Sequence, residues 1–154
     1  MVRSHCAAAA LFALLIGTAH AADDVRACKF AVKARCASGE ATVTLVDGAV
    51  KRLEVDVEWC SGQRGQPGYE CSIDSSRGDA DSTWSEEGGA TIIANKAPFN
   101  PSAPDSVKVT VGRNVSIDFA KAQSLGRCGA GAELPKAIVI PAGKKACGVF
   151  LATP

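Results

Sequence analysis

Residues 41–60 read ATVTLVDGAVKRLEVDVEWC, and this stretch decides the fold class. Asp47 and Gly48 sit between two strand-like runs. Both residue types tolerate positive φ, so the pair suits a two-residue hairpin turn. In the second run Leu53, Val55, Val57 and Trp59 fall on one side, and Glu54, Asp56 and Glu58 on the other. A period of two is the signature of an antiparallel strand with one buried and one wet face.

Working outward, the same pattern recurs. In residues 28–36 Phe30, Val32 and Ala34 alternate with Lys29, Lys33 and Arg35, which reads as a strand with a basic outer face. Tyr69, Cys71 and Ile73 alternate again, ATIIAN at 90–95 is a short strand, and 107–111 with 115–119 form a second hairpin across Gly112-Arg113-Asn114. Residues 137–140 are continuously apolar, as in a strand covered on both faces, and residues 147–151 supply its partner. The polar stretch 74–89 has no period and reads as loop. KAPFNPSAPD carries three prolines, which excludes helix and central strand. One helical turn fits 121–125, with Gly126 to stop it. The expected fold is therefore all-β: a single-domain antiparallel sandwich or barrel of about eight short strands spanning residues 22–154.

Residues 1–21 read as an export signal, with Arg3 ahead of an apolar run and Ala19-His20-Ala21 as the cleavage site. The run falls short of the roughly 20 residues that span a bilayer. This implies a secreted or periplasmic protein with no membrane span after cleavage. Once Arg3 leaves with the signal, the 17 Lys and Arg side chains fall level with the 16 Asp and Glu. Such a balance gives no electrostatic case for a nucleic-acid partner.

Of seven cysteines, Cys6 lies in the signal, leaving Cys28, Cys36, Cys60, Cys71, Cys128 and Cys147. An even count in an exported chain implies disulfides, with 15 pairings open to six cysteines. Sequence proximity favours Cys60–Cys71 around a Gly- and Pro-rich loop, and Cys128–Cys147 around an apolar segment. Elimination then leaves Cys28–Cys36, yet a strand of that length would hold them about 26 Å apart, beyond disulfide reach.

Both histidines, His5 and His20, also lie in the signal. The mature chain thus lacks the Ser-His-Asp and Cys-His arrangements and the common zinc ligand sets. The expectation is a binding module, not an enzyme, acting on a protein or glycan of the envelope and conceivable as an inhibitor. The alternatives are a carboxylate-dependent hydrolase and a structural envelope component. Contact residues are sought in loops 61–68, 74–89 and 95–105, with Trp84, Phe99 and Arg77 the candidates there, and at Tyr69 just after the first loop. Phe99 stands out because prolines stiffen its loop. Trp59 reads as a core residue beside a disulfide. Asp74, Asp79 and Asp81 are the candidate metal ligands, for calcium, although their spacing matches no EF-hand. Arg77-Gly78-Asp79 reads as a turn. Asn114-Val115-Ser116 has the form of a glycosylation acceptor.

Overall fold

The computed structural model describes residues 23–60, 68–129 and 132–151. The export signal at 1–21 lies outside the described residues, as does most of loop 61–68. The described residues form ten strands: β1 (Asp24–Val32), β2 (Ala37–Val46), β3 (Ala49–Trp59), β4 (Tyr69–Ser76), β5 (Ser82–Glu87), β6 (Ala90–Asn95), β7 (Ser106–Val111), β8 (Val115–Lys121), β9 (Ala137–Ile140) and β10 (Gly148–Phe150). They build two antiparallel sheets, ordered β1-β2-β3-β4 and β10-β9-β8-β7-β6-β5. Every strand therefore pairs with its sequence neighbour, apart from the step between β4 and β5 that changes sheets.

The β2–β3 hairpin turns at Asp47 and Gly48, with φ of 53° and 77°. Leu53, Val55 and Val57 are fully buried, each stabilising the fold by about 1.5–3 kcal/mol relative to exposure. Val50 shares their buried face although its number has the other parity. The pairing explains this. Thr44 opposes Arg52, but Leu45 opposes Val50, so Lys51 is an extra residue. Such a bulge shifts the side-chain alternation by one. The Lys51 carbonyl then accepts the Arg77 N–H at 2.8 Å, which fastens the start of the β4–β5 link to the bulge.

Inward residues of both sheets join one hydrophobic cluster, including Val43 and Val55 from the first and Val109, Ile117 and Ile138 from the second. The molecule is an open sandwich, not a closed barrel. Both edges of the four-stranded sheet are covered. Lys29 of β1 exchanges hydrogen bonds with Lys145 and Cys147, and β4 is flanked by residues 127–129 through Ser72 N–H to Arg127 O and Gly129 N–H to Glu70 O.

The disulfides are Cys28–Cys147, Cys36–Cys60 and Cys71–Cys128. This corrects the two pairings favoured by proximity in sequence. Antiparallel strands bring distant positions together, so Cys71 lies beside Cys128 in an isolated antiparallel bridge at the edge of β4 and Cys28 beside the segment entering β10. The objection to Cys28–Cys36 holds, since Cys28 lies within β1 and a 3-10 turn at Lys33–Arg35 precedes Cys36. Three further expectations are corrected. The polar stretch contains a strand, β5, at a sheet edge. Residues 121–125 form no helical turn. The strand β9 is half-buried on its outer side, where Ala137 and Val139 face outward.

Candidate functional site

Loop 96–105 joins β6 to β7, and its neck is closed on both sides. Asn95 N–H donates to the Asp105 carbonyl at 2.9 Å, and the Asn95 amide donates to the Asp105 carboxylate at 2.9 Å. Farther along, the Ala103 N–H bonds the Asn100 carbonyl and Asn100 Oδ1 accepts the Ser102 N–H, so the chain turns back just after Phe99.

Gln123, from the segment after β8, fills the inside of this turn. Its Oε1 accepts the Asn100 N–H at 2.8 Å, and its Nε2 donates to the carbonyls of Asn100 and Ala103, both at 3.0 Å. The loop thus gains the pairing for its backbone that strands would otherwise give. Gln123 is positioned in turn by its own N–H, which donates to Asp105 at 2.9 Å. The Arg127 Nη2 donates to the same carboxylate oxygen at 3.1 Å. The Asp105 side chain is only 2% exposed and that of Arg127 16%. Burial pushes the Asp105 carboxyl up, but the Gln123 N–H, the Asn95 amide and the Arg127 guanidinium outweigh it and hold the pKa below the usual value.

On this fixed loop Phe99 is 66% exposed. Leu125, also 66% exposed, follows in the segment that carries Gln123. Gly126 has φ of 87° and lies against Phe99; a Cβ built there would stand 3.7 Å from the Phe99 Cβ. The other expected contact residues lie elsewhere. Trp84 points inward from β5, opposite Ile93, donating to Ser82 Oγ at 3.0 Å. Arg77 stacks over its ring at 5.4 Å and pairs with Glu86, so both side chains close the edge of the sandwich. Tyr69 is exposed at the start of β4, opposite Trp59. Trp59 packs on the core, as expected, and donates to the Glu133 carbonyl at 3.0 Å.

The candidate calcium ligands do not meet as a group. Asp79 turns back to accept the Ser76 N–H, and Asp74 pairs with Arg52 at 3.0 Å. Asp74 and Asp81 do line one polar cleft of about 180 Å³ with Ser75, Ser82, Asn95 and Arg127. Among the described residues, no three His, Cys, Asp or Glu side chains form a cluster able to hold a metal ion. Asn114 is exposed in its turn, where its Oδ1 accepts the Ala142 N–H.

No family model, curated protein or solved structure matches the chain.

Two features escaped the residue pattern. Asp105, Gln123 and Arg127 act together across gaps of 18 and 22 residues with no periodic signal. The second is the outer face of the four-stranded sheet, where Glu40, Asp56 and Ser72 share one cross-strand row, Thr42, Glu54 and Asp74 the next, and Glu58 opposes Glu70. Lys29 pairs with Glu40, and Arg52 with Glu54 and Asp74. Burial, then the charges of Glu40, Asp74 and Glu58, raise the pKa of Asp56. The alternation of Glu54, Asp56 and Glu58 signalled this face; the register that stacks the other acids beside them was not legible.

Proposed function

We propose that the chain is an exported, disulfide-stapled interaction module that acts by binding, and that loop 96–105 is its contact surface for a protein partner. The observation that carries this reading is Phe99, a large apolar side chain left in water on a loop whose backbone is tied down by Gln123 and Asp105. Ordering a loop and its side chains on binding costs about 0.5–1.5 kcal/mol per immobilised side chain, and a loop already fixed avoids much of that. Aromatic anchors of this kind supply a large share of binding energy at protein interfaces. Export is supported by the form of the first 21 residues and by three disulfides, which persist in oxidising compartments. Among the described residues no helix is long and apolar enough to cross a membrane.

Hydrolysis by the acidic stretch draws less support. Glu86 is held by Arg77 and Thr91, and Asp79 by backbone.

The reading is tested by immobilising the oxidised protein and its Phe99→Ala variant and identifying by mass spectrometry what each retains from envelope and culture extracts. A partner retained by the first and lost by the second is expected. Identical retention by both, or none by either, refutes the assignment of the loop.

A further inference from the structure

We infer that the polar cleft between the two sheet edges is a binding site for a single uncharged pyranose sugar. Phe99 and Leu125 do not line this cleft, so the inference goes beyond the loop reading and stands apart from it. The cleft opens where β4 and β5, edge strands of the two sheets, meet through the Ser75–Ser82 hydrogen bond, and it measures about 180 Å³. A cavity of about 150 Å³ takes a benzene-sized ring, so this one suits one six-membered ring with its substituents. Its floor is core: Ile73, Ile93 and Val107 are each at most 5% exposed. Such a floor can cover the C–H face of a ring.

Polar groups around that floor have donors and acceptors to spare. The Arg127 guanidinium carries five N–H donors, and Asp105 takes one of them. Its Nε–H is buried with no partner among the described residues. Ser75 and Ser82 bond each other at 3.0 Å, and Ser82 also accepts the Trp84 indole N–H. Their mutual bond uses one of the two hydroxyl protons, so one is left to donate beside Ser75, which is 8% exposed. Buried donors without acceptors are costly, and a ligand oxygen in the cleft offsets that cost. Asp81, exposed and without an ion pair among the described residues, supplies an acceptor. Charge then selects the ligand. Arg127 already has Asp105 as counter-ion, and Asp74 has Arg52. An anion entering the cleft would face Asp74 and Asp81, and a cation would face Arg127. Hydroxyl groups both donate and accept without bringing a charge. A six-membered ring that carries several of them and turns C–H groups to one face is a pyranose.

The test titrates isotope-labelled oxidised protein with glucose, galactose, mannose and N-acetylglucosamine, with glycerol, glucuronate and leucine as controls. NMR follows the Arg127 Nε–H and the backbone amides of Ser75, Ser82 and Asn95. Saturable shifts at these groups are expected with at least one of the sugars, at a dissociation constant of about 1 mM for so small a ligand. Asp81→Ala, at an exposed position, should weaken that binding about tenfold or more, and Asp81→Asn, which keeps an acceptor oxygen, should weaken it less. Unchanged shifts outside the cleft show that each variant keeps its fold. No response to any of the sugars, equal shifts with glycerol, or sugar binding untouched by Asp81→Ala overturns the inference. Glucuronate or leucine binding there in place of the neutral sugars overturns it as well.

Discussion

Asp105 is the residue on which the loop depends, because one carboxylate serves Asn95, Gln123 and Arg127 together. Asp105→Asn keeps the shape and removes the charge, leaving the Arg127 guanidinium without its counter-ion in a mostly buried place. Breaking such a pair from one side costs about 3–5 kcal/mol, to be read from urea unfolding at pH 7. The pKa is lowered by folding, so the stabilisation is present above the unfolded value of about 3.9 and is lost as pH falls through the lower folded value. The gap between wild type and variant should therefore narrow on acidification, and a constant gap down to pH 2 would contradict this account. Asp56 behaves in the opposite sense. Its pKa is raised, so its charged form opposes folding above the folded pKa and the penalty vanishes in acid. Asp56→Asn should raise stability at pH 7 by about 0.5 kcal/mol and change nothing near pH 3. Thermal unfolding at the two pH values measures the difference.

At the scale of elements, the β1–β2–β3 contact turns on Gly39. Phe30 stands opposite it, and a Cβ there would lie 2.8 Å from the Phe30 ring and 2.1 Å from the Asp56 carbonyl. The second neighbour is backbone and cannot swing away. Gly39→Ala should lower stability by about 1–3 kcal/mol or more, as overpacking does. Gly112→Ala is the control, because its Cβ would meet nothing nearer than 3.7 Å; a change within about 0.5 kcal/mol is expected. Equal effects at the two sites in thermal unfolding would remove the steric argument. The strands were legible where the core imposes a period of two, as along β3 and in the β7–β8 hairpin. Strand β5 was not, because at a sheet edge its inward positions are Ser82, Trp84 and Glu86, and only the tryptophan is apolar. Phe99 was legible through its flanking prolines. The side chains that fix its loop were not, since hydrogen-bond partners 18 to 23 residues away leave no local pattern.

For the whole molecule the disulfides divide the work unequally. Cys28–Cys147 and Cys71–Cys128 join the four-stranded sheet to segments of the other layer at its opposite edges, through β1 and β4. Cys36–Cys60 joins two ends within the four-stranded sheet, where β2 and β3 are already paired from Ala37↔Trp59 onward. The spacings of 119, 57 and 24 residues give loop-closure contributions of about 5, 4 and 3.5 kcal/mol. Loop length orders all three bonds, and architecture agrees in placing Cys36–Cys60 last. Replacing each pair by alanines should lower the urea midpoint most for Cys28 and Cys147, less for Cys71 and Cys128, and least for Cys36 and Cys60. The first two variants should also loosen the sheet edges, with faster amide exchange at Lys29 and at position 147 (alanine in that variant) in one and at Ser72 and Gly129 in the other, because those N–H groups donate across the edges. The third should leave all four protected. A largest loss on removing Cys36–Cys60 would mean that the four-stranded sheet cannot hold its own end together, and that the layers are joined chiefly by their shared core.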